Sequence, residues 1–399
     1  MEGRDIIIIG QQAWDTDIGS NCKNIALEMS KTNRVLYVNS PLDRATKFKH
    51  SKDPKVQKRI AIINKEIGSV VSIGPNIWNL YPDCLVESIN WINNGKIFDL
   101  FNRMNNRKFA KSIATAAAAL GFKDYILFND SEMFKGFYLK DFLAPLLSIY
   151  YSRDYMLGVD YWKKHGERLE PLLISKSDIC IANSLYLTDY CKQYNANSFD
   201  VGQGCDLGLF ENIPGRKKPA EFEGLSGAVI GYVGALQSIR LDIPLIQHIA
   251  EMRKDWTVVL VGPEDENFIN SALHGIKNVI FTGSKPLKEL SSYMQFFDVC
   301  INPQLVNEVT IGNYPRKVDE YLAMGKPVVA TATRAMELFH KHVYLAKQKE
   351  DYIDYIELAL KEDSVALQEK RKDFARSHSW KNSVNLIYDA VNQKINNEL

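Results

Sequence analysis

The sequence predicts an α/β protein of two doubly wound domains, and three observations carry that expectation. A chain of 399 residues is too long for one ordinary hydrophobic core. Ile6 to Ile9, within Asp5-Ile-Ile-Ile-Ile-Gly10, is a continuous β-branched run, followed by a helical stretch from Asn21 to Met29 and by Arg34-Val-Leu-Tyr-Val-Asn39, a βαβ opening. A second βα series begins at Gly231 and ends near Lys361.

Between these anchors, residues 125–128, 146–150 and 179–182 read as strands, and residues 105–120 as a helix with an Ala-rich middle. Residues 212–227, with Pro214-Gly-Arg-Lys-Lys-Pro219, are polar and turn-rich and read as the linker. The expected domains are therefore residues 1–211 and 228–379. Residues 380–395 form an amphipathic helix with Val384, Ile387 and Val391 on one side.

Composition narrows the function classes. Hydrophobic residues make up 46% and charged residues 24%, as in soluble globular proteins. A net charge of +1 leaves no global nucleic-acid footprint. Cys22, Cys84, Cys180, Cys191, Cys205 and Cys300 are scattered without a C-x-x-C pair, so they read as reduced, buried and not metal-ligating. The N-terminus enters a strand at once, without a signal-peptide pattern, and no apolar run nears the roughly 20 residues of a membrane span. The expectation is a cytoplasmic protein, at most peripheral to a membrane. Arg44, Lys47, Lys49, Lys52, Lys55, Lys58 and Arg59 form a local basic segment suited to anionic lipid, with Trp91, Ile92, Ile97, Phe98, Leu100 and Phe101 available for apolar insertion. A solvated loop and a core helix fit the same residues.

The most informative stretch runs from Asn313 to Thr331. Pro315 suits the first turn of a helix. Val318, Tyr321 and Leu322 recur at helical spacing, Gly325 suits the left-handed residue that ends a helix, and Val328-Val329-Ala330 reads as a buried strand. A helix N-terminus is an anion site, and Lys317 adds a cation to it. Glu320, one turn on, suits the vicinal diol of a ribose. A helix-surface glutamate near a positive helix end is the plainer alternative.

Pro315-x-Lys317-x-x-Glu320-Tyr321-x-Ala323-x-Gly325-Lys326-Pro327-Val328-Val329 resembles the nucleotide-sugar segment of GT-B glycosyltransferases, especially retaining family 4. Gly231-Tyr-Val-Gly234, Trp256-Thr-Val-Val-Leu-Val-Gly262-Pro263, Asn278-Val-Ile-Phe-Thr-Gly283, Phe297-Asp-Val-Cys-Ile-Asn-Pro303 and Ser177-Asp-Ile-Cys-Ile-Ala-Asn-Ser184 follow the family's order. The resemblance implies two Rossmann-like domains facing a cleft, with the last helix crossing back to the first. It implies a transferase that moves a sugar from a nucleotide diphosphate to an acceptor hydroxyl, in cell-surface polysaccharide or glycoconjugate assembly. The acceptor would be a glycan or lipid-linked glycan. Neither metal nor other cofactor is expected, since the helix dipole and cations would replace it; Asp15-Thr-Asp17 has the letters of a D-x-D motif but follows the first strand of the acceptor domain.

The implied donor residues are Gly19, Gly234, Gly262, Pro263, Asn313, Tyr314, Pro315, Lys317 and Glu320. Arg240 and Lys317 would neutralise the leaving diphosphate. Asp154, past a strand end, suits a general base, and a salt bridge with Arg153 is its alternative role. Asn129, Asp130 and Arg153 are candidate acceptor contacts. One departure stands out: the family's first acid, eight residues before Glu320, falls on Gly312. A sugar-nucleotide epimerase of the same architecture and a non-catalytic partner protein remain rivals.

Overall fold

The computed structural model describes residues 1–16, 19–210 and 213–398. Asp17 of the first loop and residues 211 and 212 at the expected linker lie outside them. The chain divides into two compact units, Met1–Gly202 with Ser383–Leu399, and Gln203–Asn382.

The first unit is built on eight strands: β1 (Asp5–Ile9), β2 (Arg34–Val38), β3 (Val70–Gly74), β4 (Ile77–Leu80), β5 (Ile126–Asp130), β6 (Leu147–Ser152), β7 (Ile179–Ala182) and β8 (Ser198–Asp200). Their order is β8-β7-β6-β5-β1-β2-β4-β3. All neighbours are parallel except β3 and β4. In register, Ile7 faces Leu36 and Ile8 faces Phe128. β1, β5 and β6 are buried along their whole length, as expected of strands covered on both faces. Strand order reverses between β1 and β5, which places a crevice at their carboxyl ends. Helix α1 (Asn21–Met29) follows β1.

Helix α2 runs Gly95–Ala119, ten residues earlier than its Ala-rich middle suggests. Asn94 sets the start, its side chain accepting from the N–H groups of Lys96 and Ile97. The apolar residues from Ile97 to Phe101 thus belong to the helix.

The second unit has six strands: β9 (Val229–Val233), β10 (Thr257–Val261), β11 (Val279–Gly283), β12 (Val299–Asn302), β13 (Val328–Thr331) and β14 (Tyr344–Ala346). Their order is β11-β10-β9-β12-β13-β14, all parallel. Alternate residues feed opposite layers. Val229 and Val233 pack with Phe297, Val318 and Tyr321, while Ile230 and Tyr232 pack with Leu245, Ile246 and Ile249. Here the reversal of strand order lies between β9 and β12.

Residues 203–210 pack with this second unit, where Cys205 N–H donates to the His378 carbonyl at 2.9 Å and Phe210 is buried in the core. The last helix, α6 (Trp380–Glu398), starts in the second unit and returns the chain to the first from Ser383 onward. Val384, Ile387 and Val391 are buried, and the Tyr388 hydroxyl accepts from Asn33 Nδ2 at 2.8 Å.

Candidate functional site

In the second unit the carboxyl ends of β9 and β12, side by side at the reversal, open a cavity of about 250 Å³. Tyr232 and Asn302 come from the strand ends, and Gln237 and Arg240 from the loop after β9. Asn313, Tyr314 and Pro315 come from the loop before helix α5 (Arg316–Ala323). Pro315 occupies the capping position rather than the first helical one, and Val318 N–H donates to its carbonyl at 2.8 Å.

The charge on this lining has one sign. Arg240, Arg316 and Lys317 line the cavity, and no carboxylate does among the described residues. The positive end of the α5 dipole points the same way. Lys317 Nζ donates to the Tyr232 hydroxyl and lies 4.1 Å from that ring's centroid. Asn302 is 3% exposed, and its Nδ2 has no hydrogen-bond partner among the described residues. A buried orphan amide donor in a cation-lined cavity suits an oxyanion or a carbonyl.

Two glycines let the loops approach this closely. Gly234 has φ +142°, and a Cβ there would meet Lys317 Nζ at 3.0 Å and the Tyr232 hydroxyl at 3.1 Å. Gly262 has φ +154°, and its Cβ would lie 2.0 Å from the Gly234 carbonyl oxygen. The stack is tied by Gly234 N–H to the Val261 carbonyl at 2.9 Å and Leu236 N–H to the Pro263 carbonyl at 2.8 Å. Gly262 and Pro263 thus shape the loop under the cavity without lining it.

Glu320 lies beside the cavity rather than in its wall, and its nearest cation is Arg316 at 3.5 Å. Burial pushes its carboxyl above the usual range, opposed by Arg316 and Lys317. Asp242, found where the family resemblance suggests lysine, caps helix α4 (Ile243–Met252): its carboxylate accepts from Leu245 N–H at 2.9 Å. Lys326 is turned inward to the carbonyls of Gln295 and Phe297, at 2.9 and 2.8 Å.

In the first unit, several expected acceptor residues are occupied by the fold. Asn129 is 6% exposed; its Oδ1 accepts from Glu132 N–H at 2.9 Å and its Nδ2 donates to the Glu132 carbonyl at 3.2 Å. Asp130 is fully buried at the end of β5, accepting from Arg153 Nε at 2.9 Å. Arg153 also donates to Gln11 at 3.0 Å and Asp154 at 3.1 Å, which joins the ends of β1, β5 and β6. Asp154 is the outward member of this group, its side chain 45% exposed. A Cβ at Gly19 would meet nothing within 4 Å, so packing does not demand glycine before α1.

Comparison with known proteins agrees with this geometry. Residues 227–362 match the family model Glycosyl transferases group 1, and all residues lining the cavity lie within that span. The chain is 28% identical over 264 residues to a putative teichuronic acid biosynthesis glycosyltransferase of Bacillus subtilis (strain 168). That match covers 59% of this chain and 66% of the relative. A sucrose-phosphate synthase from Thermosynechococcus elongatus superimposes with a TM-score of 0.66 at 13% identity, covering 98% of each chain. Anabaena HepE in complex with UDP-glucose gives 0.63 at 15% identity, covering 98% of this chain and 99% of that one. The fold is that of the GT-B glycosyltransferases, and residues 227–362 carry the group 1 domain.

Within that group 1 domain, Tyr232, Asn302, Gln304 and Thr310 line the cavity although sequence reasoning does not single them out. Asn302 alone had a signal, as a polar residue closing an apolar strand before Pro303. Gly312, in the register of the family's first acid, is buried, and Glu308 is exposed.

Proposed function

We propose that the protein transfers a sugar from a nucleoside-diphosphate donor to a hydroxyl of a saccharide acceptor, in the assembly of a cell-surface polysaccharide or glycoconjugate. The observation that carries this reading is the cavity with three cations and, among the described residues, an orphan amide donor and no lining carboxylate. A diphosphate placed there meets Arg240, Lys317 and the head of α5. Glu320 then takes the ribose. In the transfer, the bond from the anomeric carbon to the diphosphate oxygen breaks and the acceptor oxygen bonds to that carbon. The acceptor proton passes to Asp154, and Arg240 with Lys317 hold the charge on the leaving diphosphate. The three cations supply the countercharge, so the reading needs no metal or other cofactor.

The proposal extends to a lipid-linked acceptor at the cytoplasmic face of a membrane. Lys49, Lys52 and Lys55 are exposed around Phe48, itself 71% exposed, which suits an anionic lipid surface. Among the described residues no helix is long and apolar enough to cross a membrane.

A donor panel led by UDP-glucose, scored for nucleoside diphosphate release, tests the reading. Slow release that is lost in Lys317→Ala supports it. An epimerised sugar nucleotide without release, or binding without turnover at any acceptor, overturns it.

A further inference from the structure

The first unit holds a second built cavity that the donor chemistry leaves unused. It measures about 300 Å³, at the low end of small-molecule pockets, which run roughly from 300 to 1,000 Å³. Segments following β2, β5 and β6 form its walls. One wall is aromatic. Phe134 and Trp162 stack with centroids 5.2 Å apart and planes at 23°, and Tyr161 meets Trp162 edge-on at 5.1 Å.

The lining also holds polar side chains that are incompletely paired among the described residues. Asn102, on α2, is 1% exposed. Its Oδ1 accepts from Asn106 Nδ2 at 3.2 Å, which sets the orientation of the amide. Its Nδ2 has no partner among the described residues. Asn90 donates its Nδ2 to the Tyr161 carbonyl at 3.0 Å and leaves a buried Oδ1 without a partner among them. One orphan donor and one orphan acceptor lining the same cavity match a hydroxyl, which both gives and takes a hydrogen bond. An aromatic face beside them matches the C–H face of a sugar ring.

A groove of about 420 Å³ continues from this cavity, and Glu87, Ser88, Ile89, Trp91 and Asn105 line both. Its remaining lining is mostly apolar, with Ile92, Ile97, Phe101 and Met104. Trp91, Ile97 and Met104 are 75%, 48% and 49% exposed. A free sugar would leave this groove uncovered, and a plain hydrocarbon would leave Asn90 and Asn102 unpaired.

We infer that the two connected cavities bind one amphiphilic saccharide. Its sugar ring lies on Phe134 and Trp162 with hydroxyls to Asn90 and Asn102, and its apolar chain follows Ile97 and Met104. That this ligand is the acceptor of the transfer rests on the function proposed above; its binding does not.

The test is titration of the full chain with n-octyl β-D-glucopyranoside below its micelle concentration, followed by tryptophan fluorescence and calorimetry. Methyl β-D-glucopyranoside lacks the chain, and octyl tetraethylene glycol ether lacks the sugar. The octyl glucoside should bind at least tenfold more tightly than either. Trp91→Ala should weaken it at least fivefold, and Asn102→Ala should erase its advantage over the ether. Equal binding of glucoside and ether, no glucoside binding, or unchanged binding in Trp91→Ala overturns the inference. UDP titrated separately reports on the donor cavity. Glucoside binding without UDP binding overturns the donor reading and leaves this one standing.

Discussion

His378 Nδ1 lies 2.6 Å from Asp319 Oδ1, and the aspartate is completely buried on the inner side of α5. The same histidine nitrogen is 3.2 Å from the Tyr314 hydroxyl, and Cys205 Sγ donates to Asp319 Oδ2 at 3.3 Å. The helix that presents Lys317 to the cavity between β9 and β12 is therefore anchored from behind to two segments near the ends of the second unit. Removing one partner of a buried hydrogen-bonded pair leaves the other unsatisfied, at a cost of about 1–3 kcal/mol. Asp319→Ala should lower the unfolding free energy of the second unit by an amount of that order, measured by calorimetry. A change no larger than a surface substitution would show that the pair does not anchor α5.

The two glycine turns should respond unequally to alanine. In Gly234→Ala the new methyl meets the tip of a flexible lysine, so the cost is mainly backbone strain of about 1–3 kcal/mol. In Gly262→Ala it meets the Gly234 carbonyl, which cannot move without opening the loop. Gly262→Ala should be the more destabilising in urea titration. Gly234→Ala should chiefly weaken nucleotide binding by displacing Lys317.

Glu320 predicts a conflict between stability and binding. Burial raises its carboxyl pKa above the unfolded value of 4.5. The folded state therefore favours the protonated form, and this contribution is complete below pH 4.5 and lost as pH rises through the folded pKa. Glu320→Gln should raise the unliganded midpoint at pH 7, with the gain fading below pH 4.5. It should also weaken UDP binding about tenfold, equivalent to about 1.4 kcal/mol, through loss of the ribose acceptor. Unchanged UDP affinity would remove Glu320 from the donor site.

Asp130 and Asp154 share Arg153 but should behave differently. Asp130→Ala removes the fully buried carboxylate that holds Arg153 and should destabilise the first unit by about 3 kcal/mol or more. Asp154→Ala breaks a half-exposed pair and should cost less than about 1 kcal/mol. As the base, its loss should cut transfer by roughly 10²–10⁴-fold while donor binding stays intact. Full transfer activity in Asp154→Ala would assign the base elsewhere.

Most of the fold was legible because β-branched runs and punctuation agree with it. The strand at Asp5–Ile9 and helix Asn21–Met29 stand where the pattern put them. Gly325 ends α5 with φ +73°. The early start of α2 was hidden because the apolar residues from Ile97 onward also fit an insertion stretch, and only the Asn94 cap decides. The lining of the cavity between β9 and β12 was half legible. Lys317, Arg240 and residues 313–315 could be named from helix-terminus chemistry and family resemblance.

What the sequence determined by itself was local: strands from continuous apolar runs, helix ends from Pro and Gly, and a cation at a helix head. What only the tertiary structure decided was which polar groups are already spent. Asn129 and Asp130 look like ligands at strand ends, yet their hydrogen bonds close within the fold. Asn302 and Asn102 look ordinary, yet each buries an amide donor without a partner among the described residues. Pairing joins residues distant in sequence, so no local pattern encodes it, and the cost of burying an unpaired group is what turns such a residue into a candidate ligand contact.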